Sequence, residues 1–147
     1  MRVAIIGLGL IGGSLAKDLR SKGLCESIVG VDSNEQNADK ALQLGLVDSI
    51  ANLEKASETC DLIVLCTPVN AVMSLLPEIL DSITEDQTVT DVGSTKMQII
   101  QRVKDHPNRG QYIPAHPMSG TEFSGPEAAQ IDLFKGKVTV ICDPDDC

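Results

Sequence analysis

RVAIIGLGLIGGSLA, residues 2–16, is the stretch on which the fold reading turns. It opens as a run of branched apolar residues, Arg2 to Gly7, and passes through glycines into Ile11 to Lys22, where apolar residues recur at helical spacing. That succession reads as strand, tight turn, helix. Gly7, Gly9 and Gly12 fit the pattern G-x-G-x-x-G in the strand-to-helix context that the pattern requires. Each glycine has a mechanical reason. Gly7 permits the turn, Gly9 lets a pyrophosphate approach the backbone without meeting a Cβ, and Gly12 lets the helix pack closely on the strand. A pyrophosphate held there rests on free N–H groups at the positive end of a helix starting near Leu10. Gly7, Leu8, Gly9, Leu10, Ile11 and Gly12 are therefore the expected phosphate-binding residues.

Working outward, Ser27–Asp32 reads as a second strand, and Ser33 with Gln36 three residues on as a capping box opening a helix to about Leu44, stopped by Gly45. Leu46–Ile50 is a short candidate strand. Asp61–Cys66 is a continuous apolar run of the kind shown by a parallel strand covered on both faces. A helix from Pro68 to about Leu80, a strand over Thr88–Val92, a helix over Thr95–Asp105 and a strand over Gln111–Ala115 follow, with Val138–Cys142 expected as a last core strand. The alternation predicts an α/β fold, a Rossmann-type mostly parallel sheet with helices on both faces and ligands at the carboxyl ends of the strands. The 147 residues make one domain, 1–147. The stop at Asp143–Cys147, just after a strand, reads as a domain boundary or a cut.

The expected strand ends carry the distinctive residues. Asp32 lies twenty residues after Gly12, where an acid accepts hydrogen bonds from adenosine ribose hydroxyls; the competing reading is a cap on the next helix. An acid there repels a 2′-phosphate, and Ser33, Asn34, Glu35 and Gln36 offer no cation to receive one, so NAD is favoured over NADP. Cys66, Thr67 and Pro68 form the rim along which a dinucleotide extends, with Thr67 and Pro68 the better contact candidates and Cys66 equally readable as a plain turn residue. Ser94 either caps the following helix or presents its hydroxyl to the cleft, and Lys96 reads as solvated. His116 follows a strand and is flanked by proline and glycine, a placement suited to proton exchange near neutral pH. His106 reads as a helix C-terminal cap.

Composition excludes several classes. A formal charge of −9, with twelve scattered Lys and Arg, does not suit nucleic acid, and Tyr112, Phe123 and Phe134 are too few and too separated to stack bases. No apolar stretch approaches bilayer length and no signal-peptide layout precedes the first strand, so the expected compartment is the cytoplasm. Five cysteines without a CxxC pair, and only two histidines, give no metal-site pattern. Free thiols are expected, with Cys60, Cys66 and Cys142 buried.

GLGLIGGSLA (Gly7–Ala16), GVDSN (Gly30–Asn34), LCTP (Leu65–Pro68), DVGSTK (Asp91–Lys96) and HPMSGTE (His116–Glu122) together strongly resemble the prephenate/arogenate dehydrogenase family of tyrosine biosynthesis. The match is ordered along essentially the whole chain, and DVGSTK with HPMSG is its more specific part. The resemblance implies NAD-dependent oxidative decarboxylation of prephenate or arogenate, with His116 as catalytic base on the substrate hydroxyl and Ser94 bonded to the same hydroxyl. It also implies a helical second domain for substrate carboxylates and homodimerisation, absent from these residues, so the isolated chain is expected to bind NAD and turn over little. Two other readings stay open: a non-catalytic NAD-binding regulatory module, and a β-hydroxyacid or 6-phosphogluconate-type dehydrogenase. Enzymes of the latter kind place a catalytic lysine in a helical domain.

Overall fold

Side-chain alternation along the first strand, β1 (Arg2–Ile6), sets the layers. Val3 and Ile5 enter one apolar cluster with Leu8, Ala16, Ile28, Ala41 and Val64. Ala4 and Ile6 enter another with Ile63, Leu65, Leu76, Ile79, Val89 and Ile99. A strand whose two faces are both apolar belongs in the middle of a covered sheet. The computed structural model, which describes residues 1–146, places β1 there.

After β1 come α1 (Leu10–Ser21), β2 (Ser27–Val31), α2 (Glu35–Gln43), β3 (Ser49–Ile50), α3 (Leu53–Thr59), β4 (Leu62–Leu65), α4 (Val69–Ser82), β5 (Thr88–Asp91), α5 (Met97–Val103), β6 (Tyr112–Pro117) and β7 (Thr139–Ile141). The sheet order is β3-β2-β1-β4-β5-β6-β7. β1 to β6 pair in parallel, and β7 runs antiparallel to β6. α1 and α2 supply one cluster; α3, α4 and α5 supply the other. Each fully buried aliphatic side chain contributes about 1.5–3 kcal/mol, so these clusters dominate cohesion between layers. The chain moves outward from β1 to β3, returns to β4 beside β1, and moves outward again, which opens a crevice at the carboxyl ends of β1 and β4. This is the expected Rossmann-type α/β architecture.

Several local expectations need correction. Asn34, not Ser33, caps α2: its side-chain oxygen accepts from the N–H of Gln36 at 2.9 Å and of Asn37 at 3.3 Å, because the Asp32 carboxylate holds the Asn34 N–H at 2.8 Å. α3, capped by Asn52 on Lys55 N–H at 2.9 Å, falls where the sequence reading places no element. α5 starts at Met97 and Ser94 does not cap it; Lys96 stands at its N-cap. β7 is an exposed edge strand rather than a core strand, since only β6 pairs with it. His106 closes the end of α5 through its backbone N–H, which donates to the Val103 carbonyl at 3.0 Å, but its imidazole does not cap the helix. Its Nδ1 accepts from Asn108 N–H at 3.1 Å and its Nε2 faces Asp81 of α4 at 3.2 Å. Cys60 is buried, whereas Cys66 and Cys142 are only half-buried; with Cys25 they are free thiols. Cys147 lies outside the described residues.

Residues 129–132, between β6 and β7, are fastened to α1 by side chains at helical spacing. Ser14 Oγ accepts from Gln130 N–H at 2.9 Å, Lys17 Nζ donates to the Ala129 carbonyl at 2.6 Å, and Asp18 Oδ1 accepts from Asp132 N–H at 2.7 Å. Beneath them, α1 meets the glycine turn at Gly12, where a Cβ would stand 2.0 Å from the Gly7 carbonyl oxygen. Glycine-to-alanine in a free helix interior gains about 1 kcal/mol. Gly12→Ala is predicted instead to cost about 1–3 kcal/mol or more, read as a lowered midpoint in urea unfolding.

Candidate dinucleotide-binding site

The turn between β1 and α1 is built by exclusion. Gly7 has φ +97°, a backbone region that side chains rarely adopt, and a Cβ there would meet the Cys66 carbonyl group at 2.9 Å. The end of β1 therefore lies directly on the end of β4, with Gly7 N–H bonded to the Val31 carbonyl at 2.7 Å. Gly9, by contrast, would project a Cβ into open space. It is the N-cap of α1 and makes no side-chain cap hydrogen bond, and the first turn of α1 holds no acid. The amides of that turn have no partner inside the helix, and their partial positive charge favours an anion.

A cleft of about 660 Å³ opens at this point. Gly7, Gly9, Asp32, Ser33, Cys66, Thr67 and Pro68 line it, as expected from sequence. Leu8 and Gly12 are buried beneath the turn, Leu10 is buried in α1, and Ile11 is partly buried; these four do not line the cleft, and the Leu8 N–H is already given to Asp32. Ser94, exposed in the turn after β5, and His116, half-buried near the end of β6, stand outside this cleft. They lie at the carboxyl ends of the strands to the far side of β4. No hydrogen bond joins Ser94 to His116 among the described residues.

Asp32 has two visible bonds. Its Oδ2 accepts from Leu8 N–H at 2.8 Å and its Oδ1 from Asn34 N–H at 2.8 Å. The carboxylate thus ties the glycine turn to the β2–α2 turn, and its half-buried position leaves lone pairs for a ligand in the cleft. Thr67 Oγ1 is buried without a hydrogen-bond partner among the described residues, which suits a hydroxyl awaiting one. Asn37, Asn52 and Ser74 also line the cleft and were missed from sequence. Asn52 was within reach, because an asparagine ahead of Leu53-Glu54-Lys55 is a helix-start signal.

A second polar centre lies under the Ser94 turn. Asp91 is fully buried, and its carboxylate accepts from Gly93 N–H at 2.8 Å, from the Tyr112 hydroxyl at 2.6 Å and from the Lys96 ammonium. Lys96 is buried, contrary to its reading as solvated. Burial lowers its pKa, and Asp91 opposes that shift. Burial and Asp91 both push the Tyr112 hydroxyl up, so it stays protonated and donates.

Fold and cleft together define a Rossmann-type nucleotide-binding domain, with the glycine turn, the Asp32 carboxylate and the uncapped start of α1 facing one cleft. The family described as prephenate dehydrogenase, nucleotide-binding domain, matches residues 15–146, and the chain belongs to that family. It is 34% identical over 146 residues to cyclohexadienyl dehydrogenase of Zymomonas mobilis, covering 97% of this chain and 49% of that protein. Among solved structures, prephenate dehydrogenase from A. aeolicus in complex with hydroxyphenyl propionate and NAD+ superposes with a TM-score of 0.87 at 32% identity, over 96% of this chain and 50% of that one. Synechocystis arogenate dehydrogenase gives a TM-score of 0.85 at 32% identity, over 96% and 49%. The chain spans about half the length of the curated relative from Z. mobilis.

Cys66 offers a direct check on the cleft wall. Burial, with Asp91 adding to it, pushes its thiol up to about 12. A raised pKa keeps the thiol protonated at every pH below that value, and only the thiolate is alkylated. At pH 8 Cys66 is predicted to react with iodoacetamide at least about a hundredfold more slowly than a free cysteine, followed by peptide mass spectrometry on the native chain.

Proposed function

We propose that this chain is the cofactor-binding half of an NAD-dependent dehydrogenase that oxidises and decarboxylates prephenate to 4-hydroxyphenylpyruvate. The observation that carries the reading is the Asp32 carboxylate, held by Leu8 N–H and Asn34 N–H at the edge of a cleft into which the uncapped start of α1 opens. The cradle fits a dinucleotide: Gly9 leaves open space at the helix start, and Thr67 offers an unpartnered hydroxyl. The first-turn amides of α1 hold the pyrophosphate, and Asp32 accepts from the ribose hydroxyls. Its negative charge, with no cation among Ser33, Asn34, Glu35 and Gln36, selects NAD over NADP.

Held by the glycine turn and Asp32, NAD would supply the acceptor for a hydride from the ring carbon that bears the substrate hydroxyl. His116 takes the hydroxyl proton as that carbon becomes a carbonyl, and Ser94 bonds the same oxygen and orients it. Cleavage of the ring–carboxylate bond releases carbon dioxide, its electron pair restores the aromatic ring as a phenolate, and His116 returns the proton to give the phenol. Prephenate is doubly negative and this chain carries −9, so cations that hold its carboxylates must come from a second, helical domain. The chain spans 49%, 38% and 41% of three curated relatives' lengths. Arogenate is the second reading, favoured by the likeness to the Synechocystis enzyme; it differs in carrying an amino group where prephenate carries a keto group.

Calorimetric titration tests the cofactor assignment. NAD is expected to bind at least about tenfold tighter than NADP, and Asp32→Ala to weaken NAD by about tenfold or more, as expected for the loss of a hydrogen bond to a charged group. Prephenate oxidation by the same sample is expected to be slow or absent. Tighter binding of NADP, or no binding of either nucleotide, contradicts the assignment; rapid turnover contradicts the division of labour.

A further inference from the structure

β5 and β6 pair through Val89↔Tyr112, Thr90↔Ile113 and Asp91↔Pro114, and the register ends there. Pro114 has no N–H to continue it. Ser94 and His116 both lie beyond that last pair. What crosses from one segment to the other at this point is the Asp91 side chain. Its Oδ2 receives Gly93 N–H and the Lys96 ammonium, which closes residues 91–96 into a ring with Ser94 at the exposed tip. Its Oδ1 receives the Tyr112 hydroxyl, and Tyr112 is four residues before His116 on the same face of β6 by the two-residue period of a strand.

Resting on the reading of Ser94 and His116 given above, we propose that Asp91, Lys96 and Tyr112 are positioning residues that fix the Ser94 turn relative to the strand carrying His116. The device suits its place. A carboxylate with no exposure must have its oxygens satisfied, so each donor is held where it is, and a network shielded from water resists small displacements. The lysine that ends the DVGSTK stretch thus serves the carboxylate that opens it, five residues earlier, rather than solvent, and the tyrosine hydroxyl extends the constraint to the neighbouring strand. Displacements of an ångström at a hydride-transfer site are costly to rate and to cofactor fit.

The test compares NAD with ADP-ribose, which lacks the nicotinamide, on the wild-type chain and on Tyr112→Phe, Lys96→Met and Lys96→Arg. Tyr112→Phe keeps the buried ring and carries the test if Lys96→Met does not fold. The expected result is that Tyr112→Phe and Lys96→Met weaken NAD by about fivefold while ADP-ribose affinity is unchanged, and that Lys96→Arg recovers most of the loss. Equal effects on both ligands, or none on either, overturn the proposal and leave the network a purely structural one. Failure of the wild-type chain to bind either nucleotide overturns the dinucleotide reading itself, and this inference with it.

Discussion

The contact between Gly12 and the Gly7 carbonyl governs the geometry of everything at the carboxyl edge of the sheet. There is room for a hydrogen and nothing larger, since a Cβ would stand 2.0 Å from that oxygen. Because α1 can descend this close to β1, its uncapped first turn opens toward the crevice instead of riding above it. Gly7 repeats the logic one strand across, where its missing side chain admits the Cys66 carbonyl at the end of β4. The cleft is thus shaped by what the backbone lacks, and its walls need few polar side chains.

Two aspartates at strand ends then do related work under different solvation. Asp32, half-buried, bonds two backbone amides from the turns on either side of it and keeps acceptor capacity facing the cleft. Asp91, with no exposure, spends its capacity on Gly93, Lys96 and Tyr112. Burial decides between the roles, because a carboxylate removed from water must be saturated by the protein, while one at a cleft edge can share its oxygens with a ligand. One acid stands on the wall of the cleft, where the proposed function has it read the cofactor. The other holds the turn beside it.

What was legible from sequence was local. The glycine spacing, the period-2 and period-3.6 patterns and the acid twenty residues after Gly12 follow from backbone sterics and periodicity, and they led to the right fold class, a mostly parallel Rossmann-type sheet, and to seven of the cleft-lining residues. Part of what was missed depends on tertiary partners. Lys96 reads as solvated because nothing in its neighbourhood shows that Asp91 turns inward beside Tyr112. Other misses are local: Asn34 takes the α2 cap from Ser33, its own N–H donating to Asp32 Oδ1 two residues back. α3 is seven residues long, too short for a helical period to stand out. β7 carries the branched apolar composition of a core strand, but its position at the sheet edge leaves it exposed.

Titrating the isotope-labelled chain with NAD while following backbone amide NMR signals tests the central claim most directly. The account predicts that the largest shifts fall on Gly7 to Gly12, Asp32 to Asn34 and Thr67, and extend to Ser94 and His116 with NAD but not with ADP-ribose. Shifts concentrated away from the carboxyl edge of the sheet, or none at all, would contradict it.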